Sequence, residues 1–321
     1  MSVMKVLVCG ATGFIGRNIT ERLALCSEFD IHAVSFKRSE YDFPNVTWHK
    51  ADLRNSDDVE RVLEGMDVII QAAATTSGSK DIVDRPYIHV TDNAVMNSYI
   101  FRIAFEYKIK HVIFFSCTVM YPSSETPLLE SDFDANKPIH TRYFGTGYTK
   151  VYIERMCEFF ADISDTKFTA IRHSNIYGPH DKFDLERSHV FGATVTKVMT
   201  SKEKVVVWGT GEEERDLLYI DDLVDFVLLA IENQEDNYNL LNCGSGSAIS
   251  IKDLVGKIVK ASGKKFEVVH DLSKPTIKTS LSIDSSLAEK KIGWSPKVDL
   301  DEGIAKTIRW WRENIGSASR I

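Results

Sequence analysis

The chain has 321 residues, a length that suits one large α/β body or two unequal lobes. Apolar residues make up 43% and charged residues 26%, with no low-complexity stretch, so a disordered chain is excluded. The net charge of −7 argues against a nucleic-acid binder, because such a protein needs a basic surface to neutralise phosphates.

Targeting signals and metal-binding patterns are not evident in the sequence. No apolar stretch is long enough to cross a membrane and no cleavable leader is recognisable, so we expect a cytoplasmic protein. The five cysteines are widely spaced, without a Cys-x-x-Cys pair or nearby histidines at metal-ligand spacing. We therefore expect reduced thiols and no metal site.

The first half of the chain alternates short apolar runs with helical patterns. Strands are predicted at 4–9, 31–36, 46–48, 67–71, 111–116 and 168–172. Helices are predicted from residue 14 to 25 and at 57–63, 93–107 and 143–163. This alternation predicts a Rossmann-type, doubly wound parallel sheet covered on both faces.

Beyond about residue 175 the alternation weakens. Short strands are predicted at 205–208, 239–242 and 267–270, and helices at 223–231, 251–261 and 300–311. We interpret residues 1–174 as a nucleotide-binding domain and residues 175–321 as a smaller α/β lobe. The boundary is soft, since the chain of such a fold is free to cross between lobes more than once.

A glycine-spaced turn separates the first strand from the first helix. Gly10, Gly13 and Gly16 stand three residues apart, with Thr12, Phe14 and Ile15 between them. Glycines there permit a tight turn and close approach to a diphosphate, while the helix N-terminus offers free N–H donors. The turn therefore predicts a bound dinucleotide.

The end of the second strand bears on the choice between the two nicotinamide dinucleotides. An acidic residue there bonds the ribose 2′-hydroxyl, whereas a basic residue accepts a 2′-phosphate. This chain has Lys37 and Arg38 at that point, with Glu40 close by. The pattern favours NADP over NAD.

Together with the glycine turn, further motifs along nearly the whole chain make the sequence resemble the extended short-chain dehydrogenase/reductase family. The first-half motifs are the opening GATGFIG, Asp52 with Leu53, the three alanines Ala72, Ala73 and Ala74, and Lys150 followed by Glu154. The second-half motifs, similar to the GDP-fucose synthase group of that family, are NIYGPHD from Asn175, WGTG from Trp208, Arg215 with Asp216, and YIDD from Tyr219.

The resemblance implies an enzyme with NAD(P), a nucleotide-sugar substrate, most specifically a GDP-sugar, and a homodimer formed by two long helices per subunit. Cofactor-binding roles would fall to Asp52 and Leu53 near the adenine, to Ala72, Ala73 and Ala74 along the cofactor, and to Lys150 at the nicotinamide ribose. Substrate-binding roles would fall to Asn175, His180, Trp208 and Arg215. Alternatively, Arg215 forms an ion pair with Asp216 or Asp222, and Trp208 belongs to the core of the lobe.

The sequence departs from the family at the acid–base residue. The family has a Tyr one helical turn before the Lys, and here that position is Thr146, whose hydroxyl is too weak an acid for this task near neutral pH. Tyr143 is the nearest phenol that can share a helix face with Lys150, and Thr146 can still relay a proton within a hydrogen-bonded chain. The proton is therefore expected to be carried by Thr146, Tyr143 or His180. The family's catalytic Ser or Thr corresponds to Cys117 or Thr118, depending on how the segment is counted; Cys117 is alternatively an inert thiol.

A second departure concerns epimerisation. The GDP-fucose synthase group uses a Cys and a His to invert ring carbons; His180 matches the His, but Val119 occupies the Cys position. The resemblance therefore implies hydride transfer at one ring carbon, C4. The alternatives are a 4-epimerase or epimerase-reductase, and a non-catalytic protein that binds NAD(P) or a nucleotide-sugar. A simple loop residue is the alternative interpretation of His180.

Overall fold

The computed structural model describes residues 3–75, 86–185, 188–201, 203–273 and 279–316. Its largest element is a parallel sheet of seven strands. The strands are β1 (Met4–Cys9), β2 (Phe29–Ser35), β3 (Val46–Lys50), β4 (Val68–Gln71), β5 (His111–Phe115), β6 (Lys167–His173) and β10 (Tyr238–Cys243). The doubly wound α/β fold expected from the sequence is confirmed.

The strand order is β10-β6-β5-β4-β1-β2-β3, so the chain runs outward from β1 in both directions. Val6 of β1 pairs with Ile31 on one side and with Val68 on the other. Because every neighbouring pair is parallel, all the carboxyl ends of the strands meet at one edge. Ligands of open α/β sheets bind at that edge, near the point where the strand order reverses.

Helices cover both faces of the sheet and build the smaller lobe. They are α1 (Phe14–Leu23), α2 (Ser56–Leu63), α3 (Pro86–Glu106), α4 (Phe144–Asp162), α5 (Val190–Thr200), α6 (Ile220–Asn233), α7 (Ile251–Ser262), α8 (Ser286–Ile292) and α9 (Leu300–Trp311). The side chains of β1 alternate between the two layers: Val6 and Val8 pack with α1 and α6, Leu7 and Cys9 with α2 and α3. In the described ranges, no helix is both long and apolar enough to span a membrane.

The smaller lobe contains two short sheets. One has the strands β7 (Asn175–Tyr177), β9 (Glu214–Tyr219) and β11 (Ala248–Ser250), and the other pairs β8 (Lys204–Trp208) with β12 (Glu267–Asp271). The strand expected at 239–242 does not join them, because β10 pairs with β6 and completes the main sheet. The chain thus returns to the first body after residue 174.

Most of the apolar stripe of Tyr152, Met156, Phe159 and Ile163, along and just after α4, does not face the sheet, although Met156 packs against the core. Tyr152 is 53% exposed and Phe159 is 56% exposed. The face that packs on the sheet carries Ile153, Cys157 and Ala161 instead. The apolar residues of α4 therefore lie on two faces of the helix. In the part of the chain that the structure describes, the face with Ile153, Cys157 and Ala161 packs on the sheet, and Tyr152 and Phe159 on the other face are exposed.

Candidate active site

The glycine turn lies at the carboxyl end of β1 and touches the segment that follows β4. Gly10 has a φ of +75°, and a Cβ there would lie 2.7 Å from the backbone of Ala73. A Cβ at Gly16 would overlap the carbonyl oxygen of Gly10. Both positions therefore require glycine, one for its backbone conformation and both for close packing.

The first turn of α1 is left without a side-chain cap. Gly13 is the N-cap residue, in extended conformation, and the first turn contains no acidic residue. The amide of Gly13 itself donates to the carbonyl of Gly10 at 2.8 Å. The N–H groups of the following turn and the positive end of the helix dipole fit an anionic diphosphate, which supports the predicted contribution of Thr12, Phe14 and Ile15.

Basic residues lie beside this turn. The guanidinium of Arg38 donates to the carbonyl oxygen of Thr12 at 3.2 Å, so it reaches across the turn. The ammonium of Lys37 lies 5.4 Å from the ring centre of Phe36, which is itself exposed. Glu40 accepts from Ser35 at 2.8 Å and thus points back to the strand. Arg38 therefore contacts the turn, and Lys37 precedes Arg38 in the chain.

The segment after β3 presents an ion-paired carboxylate at the same edge. Asp52 accepts from the guanidinium of Arg54 at 2.8 and 2.9 Å, and Arg54 also bonds Asp92 at 3.2 Å. The hydrogen bonds from Arg54 lower the pKa of Asp52. Leu53 is buried beneath this pair. Asp52 therefore carries an ionised carboxylate. It is one of the two residues to which the family resemblance gives a place near the adenine.

Lys150 connects α4 to the carboxyl end of β5. Its ammonium donates to the carbonyl oxygen of Phe115 at 2.6 Å and lies 4.6 Å from the ring centre of Phe114. Burial lowers the pKa of Lys150, although the nearby Cys117 and Glu154 oppose this effect. A cation is thus fixed at the edge where the parallel strands end.

The three residues after β5 differ in where their side chains go. The hydroxyl of Ser116 donates to Glu154 at 2.5 Å and is directed away from the edge. Burial raises the pKa of the Cys117 thiol, with the Lys150 ammonium opposing it. Thr118 is nearly buried, and its hydroxyl forms no hydrogen bond within the described ranges. Of the two sequence candidates, Cys117 therefore lies close to Lys150, and Thr118 follows it in the chain.

A buried ion pair joins α4 to β6 near this edge of the sheet. The guanidinium of Arg172 bonds both carboxylate oxygens of Glu154, at 3.0 and 2.7 Å, and both side chains are 3% exposed. Arg172 also donates to the hydroxyl of Tyr121 at 3.0 Å. Since Glu154 follows Lys150 by one helical turn, the pair fixes the rotation of α4 against β6.

Removing one member of this pair is expected to destabilise the fold strongly. Arg172→Met should lower the free energy of unfolding by about 3–5 kcal/mol, because it leaves Glu154 charged and unpaired in the interior. The matched control is Lys257→Met, which breaks an exposed ion pair with Asp301 and should cost less than about 1 kcal/mol. Urea unfolding measures both, and equal losses would contradict the structural role of the pair.

The proposed proton carriers are dispersed. Thr146 is half-buried one turn before Lys150, and its hydroxyl has no hydrogen-bond partner within the described part of the chain. Tyr143 caps α4 and packs at 5.8 Å against His140. His180, at φ +66°, bonds Glu21 at 3.3 Å and packs edge-on at 4.9 Å against Trp310. His180 is therefore engaged between α1 and α9 rather than with Lys150.

The candidate substrate residues lie in the smaller lobe. Arg215 of β9 donates to the backbone and hydroxyl oxygens of Thr279 at 3.0 and 2.8 Å, and burial lowers its pKa while Tyr143 opposes this. It forms no ion pair with Asp216 or Asp222, whose carboxylates accept backbone N–H groups instead. Asn175 bonds the backbone of Asp216. The alternative ion-pair interpretation of Arg215 is thereby excluded.

Trp208, at the end of β8, is 51% exposed, so it is not part of the core of the lobe. The ammonium of Lys197 lies 5.5 Å from its ring centre. The indole is thus a half-exposed aromatic side chain of the smaller lobe, with Lys197 over its ring.

Sequence reasoning missed His173, the last residue of β6. Its ring packs edge-on to Phe115, with 6.2 Å between ring centres, and the charge of Lys150 acts on it. A polar residue that directly follows a buried parallel strand is a signal for a ligand edge, and this signal was available in the sequence.

Comparison with known proteins agrees with this arrangement. The curated relatives include GDP-L-colitose synthase of Yersinia pseudotuberculosis, 28% identical over 96% of this chain and 98% of that protein. GDP-L-fucose synthase of Azorhizobium caulinodans is 27% identical over 96% of each chain. Among solved structures, UDP-glucose 4-epimerase of Thermotoga maritima with UDP-glucose matches with a TM-score of 0.86 and 26% identity, over 97% of this chain and 100% of that one. Residues 6–244 match the model of one family, and the chain belongs to this NAD-dependent epimerase/dehydratase family.

Proposed function

We propose that this enzyme transfers a hydride between NADP and carbon C4 of a GDP-linked sugar. The observation that carries the proposal is the fixed ammonium of Lys150 at the sheet edge that also holds the glycine turn. When bound, the nicotinamide cofactor supplies or accepts the hydride. The protein positions cofactor and sugar at that edge and manages the proton.

Each residue of the edge receives a role in this proposal. The turn from Gly10 to Gly16 binds the diphosphate, Asp52 and Leu53 border the adenine, and Ala72, Ala73 and Ala74 line the cofactor. Lys150 bonds the nicotinamide ribose and stabilises negative charge that develops on the reacting oxygen. Thr118 or Cys117 donates a hydrogen bond to that oxygen.

The smaller lobe holds the nucleotide-sugar. Arg215 carries a planar set of donors suited to the substrate diphosphate. Trp208 offers its exposed ring to the base, and Asn175 borders the sugar. The names of the curated relatives support a GDP-linked substrate, since both of those proteins are named for GDP-sugars.

The proposal excludes the double epimerisation of the GDP-fucose synthase group. Val119, at the position of the family Cys, is apolar and lies near Gly147 at the start of α4. The valine side chain has no ionisable proton, so it cannot take part in epimerisation. The proposed reaction is therefore limited to one ring carbon. The Thermotoga UDP-glucose 4-epimerase supports a second candidate, a 4-epimerase.

The test is turnover by the purified protein. We expect nicotinamide absorbance to change with NADP⁺ or NADPH and a member of a GDP-sugar panel, and not with UDP-glucose. Analysis of the sugar product distinguishes a keto-sugar from the 4-epimer. Absence of hydride transfer with every nucleotide-sugar, in the unaltered protein and in Thr146→Tyr, would favour a binding protein and overturn the proposal.

The preference for NADP is proposed from Lys37 and Arg38. Arg38→Ser should weaken NADPH binding about tenfold, equal to about 1.4 kcal/mol, and leave NADH binding within about twofold, because only NADPH carries the 2′-phosphate. Fluorescence titration of both cofactors checks this. Equal losses for the two cofactors would contradict a 2′-phosphate contact.

We also propose that α3 and α4 form a homodimer interface. These neighbouring helices expose several large apolar side chains, which include Tyr87, Val95, Phe105, Phe144, Tyr152 and Phe159, with Ile163 directly after α4. A face of this kind on adjacent helices suits a second copy of the same chain, because an isologous contact buries the same patch on both copies.

The dimer is tested by a charge on this face. Phe159→Asp should convert the dimer to a monomer in sedimentation velocity, because the carboxylate would be buried at the contact. Leu25→Asp, at an exposed leucine after α1, is the control and should leave the dimer intact. A monomeric unaltered protein would contradict the interface.

A further inference from the structure

His173 lies at the same strand ends as Lys150. The imidazole packs edge-on to Phe115, whose carbonyl oxygen accepts the ammonium of Lys150 at 2.6 Å. Phe115 pairs with Ile171 in the sheet, so His173 extends two residues beyond that pair at the carboxyl edge. The imidazole and the ammonium therefore flank one strand end, where the sugar meets the cofactor in the proposed function.

The hydrogen bonds of His173 define its tautomer. Its Nδ1 lies 2.8 Å from the carbonyl oxygen of Ser174, and since a carbonyl only accepts, Nδ1 carries the proton. Nε2 then presents a lone pair. Within the described ranges Nε2 has no hydrogen-bond partner, and it is not among the fully buried unpaired atoms, so it keeps some exposure.

Other titratable groups near Lys150 are unsuited to exchanging a proton with the cleft. The titratable groups whose charges act on Lys150 are Cys117, Glu154 and Cys157. Glu154 is bound to Arg172 in the interior, and Cys157 is fully buried. Burial raises the pKa of the Cys117 thiol, which makes it a poor proton donor near neutral pH. The imidazole of His173 is the group left with an open lone pair.

Two charged groups act on His173: Lys150 of α4, and His189, which precedes α5. Burial lowers the pKa of His173 to about 4; the hydrogen bond to Ser174 opposes this, and the charges of Lys150 and His189 add to it. His189 precedes the first residue of α5 and is exposed. His173 is therefore neutral at physiological pH, with an unprotonated Nε2.

Resting on the proposed function, we propose that Nε2 of His173 exchanges the proton with the reacting hydroxyl, in place of the tyrosine that position 146 lacks. In oxidation, the O–H bond breaks and its proton passes to Nε2 while the hydride leaves the same carbon for NADP⁺ and the C=O bond forms. In reduction the steps run in reverse: Nε2 takes up a proton from solvent and passes it to the carbonyl oxygen as the hydride arrives from NADPH.

The decisive variant is His173→Gln, which keeps a hydrogen-bonding side chain that does not accept a proton. We expect kcat to fall about 100-fold or more, with the dissociation constants of cofactor and GDP-sugar within about threefold. Adding Thr146→Tyr to this variant should restore at least about tenfold of the loss, because the phenol returns one turn before Lys150. A kcat within about threefold of the unaltered enzyme would overturn the proposal.

The pH profile supplies a readout that a structural role does not move. Oxidation needs the unprotonated imidazole, so kcat/KM should be lost as pH falls through the pKa of His173, well below the usual 6.5. This acid limb should vanish in His173→Gln. If the acid limb is unchanged in His173→Gln, it belongs to another group, and the proposal for His173 is wrong. If thermal unfolding shows that the Gln variant is unstable, His173→Asn is measured in the same way.

Failure of the proposed function is distinguishable from failure of this assignment. If the unaltered protein turns over no nucleotide-sugar, the function fails, and histidine ¹⁵N NMR then decides on His173. We expect the Nδ1–H tautomer and a shift of the Nε2 resonance on saturation with NADP⁺ and GDP-mannose. An Nε2 resonance that both ligands leave unchanged would overturn the assignment.

Discussion

Gly13→Asp should abolish cofactor binding without weakening the fold. Gly13 is the N-cap of α1 in extended conformation, and a Cβ there meets only the carbonyl oxygen of Gly10, at 3.1 Å. Asp is a favoured N-cap residue, so the unfolding free energy should change by a few tenths of a kcal/mol. Its carboxylate would face the cofactor diphosphate, and such like-charge contact costs several kcal/mol. Affinity for NADPH should fall at least about 100-fold.

Gly13→Asn is the matched control, since Asn has nearly the same size and caps helices equally well. Its loss of affinity should be at least about tenfold smaller, because only the charge differs. Fluorescence titration and thermal unfolding of both variants provide the comparison. Unchanged NADPH affinity in the Asp variant would show that the diphosphate binds elsewhere.

Lys150→Met should have the largest effect on turnover. The methionine side chain fills most of the same space but carries no charge and cannot donate the hydrogen bond that Lys150 makes to Phe115. We expect kcat to fall about 1000-fold, because the cation that stabilises the developing oxyanion is gone. Stopped-flow measurement of nicotinamide absorbance at saturating substrate gives the rate of the hydride step.

Lys150→Arg is the control for charge alone. The guanidinium keeps the positive charge but is larger and planar, so we expect a rate between those of the Met variant and the unaltered enzyme. Nucleotide-sugar affinity should remain within about threefold in both variants, since Lys150 is assigned to the cofactor side. A Met variant as fast as the unaltered enzyme would remove Lys150 from the mechanism.

Much of the main sheet was predictable from local sequence. His111–Phe115 is a continuous apolar run, and it is a central strand buried on both faces, as such runs indicate. The strand at 239–242 was also recognised, but not its sheet. Its partner β6 lies some seventy residues earlier, and no local signal specifies such a pairing. The three-residue strands β7 and β11 are too short to show a period.

In the candidate site, too, local sequence predicts some features and not others. The glycine turn is a local motif, and the structure gives its glycines the close contacts that the motif implies. The direction of His180 was not predictable, because it depends on a positive φ and on Glu21, which lies far away in sequence. The position of His173 at the end of a buried strand was visible in the sequence, but its contact with Phe115 and its closeness to Lys150 arise only in the folded sheet.

The central claim is that the backbone amides at the start of α1 bind a nicotinamide dinucleotide. Calorimetric titration of the folded, cofactor-stripped protein with NADPH and NADH tests it most directly. We predict saturable binding of one cofactor per chain, tighter for NADPH. No detectable heat with either dinucleotide, in protein whose thermal unfolding is cooperative, would contradict the account.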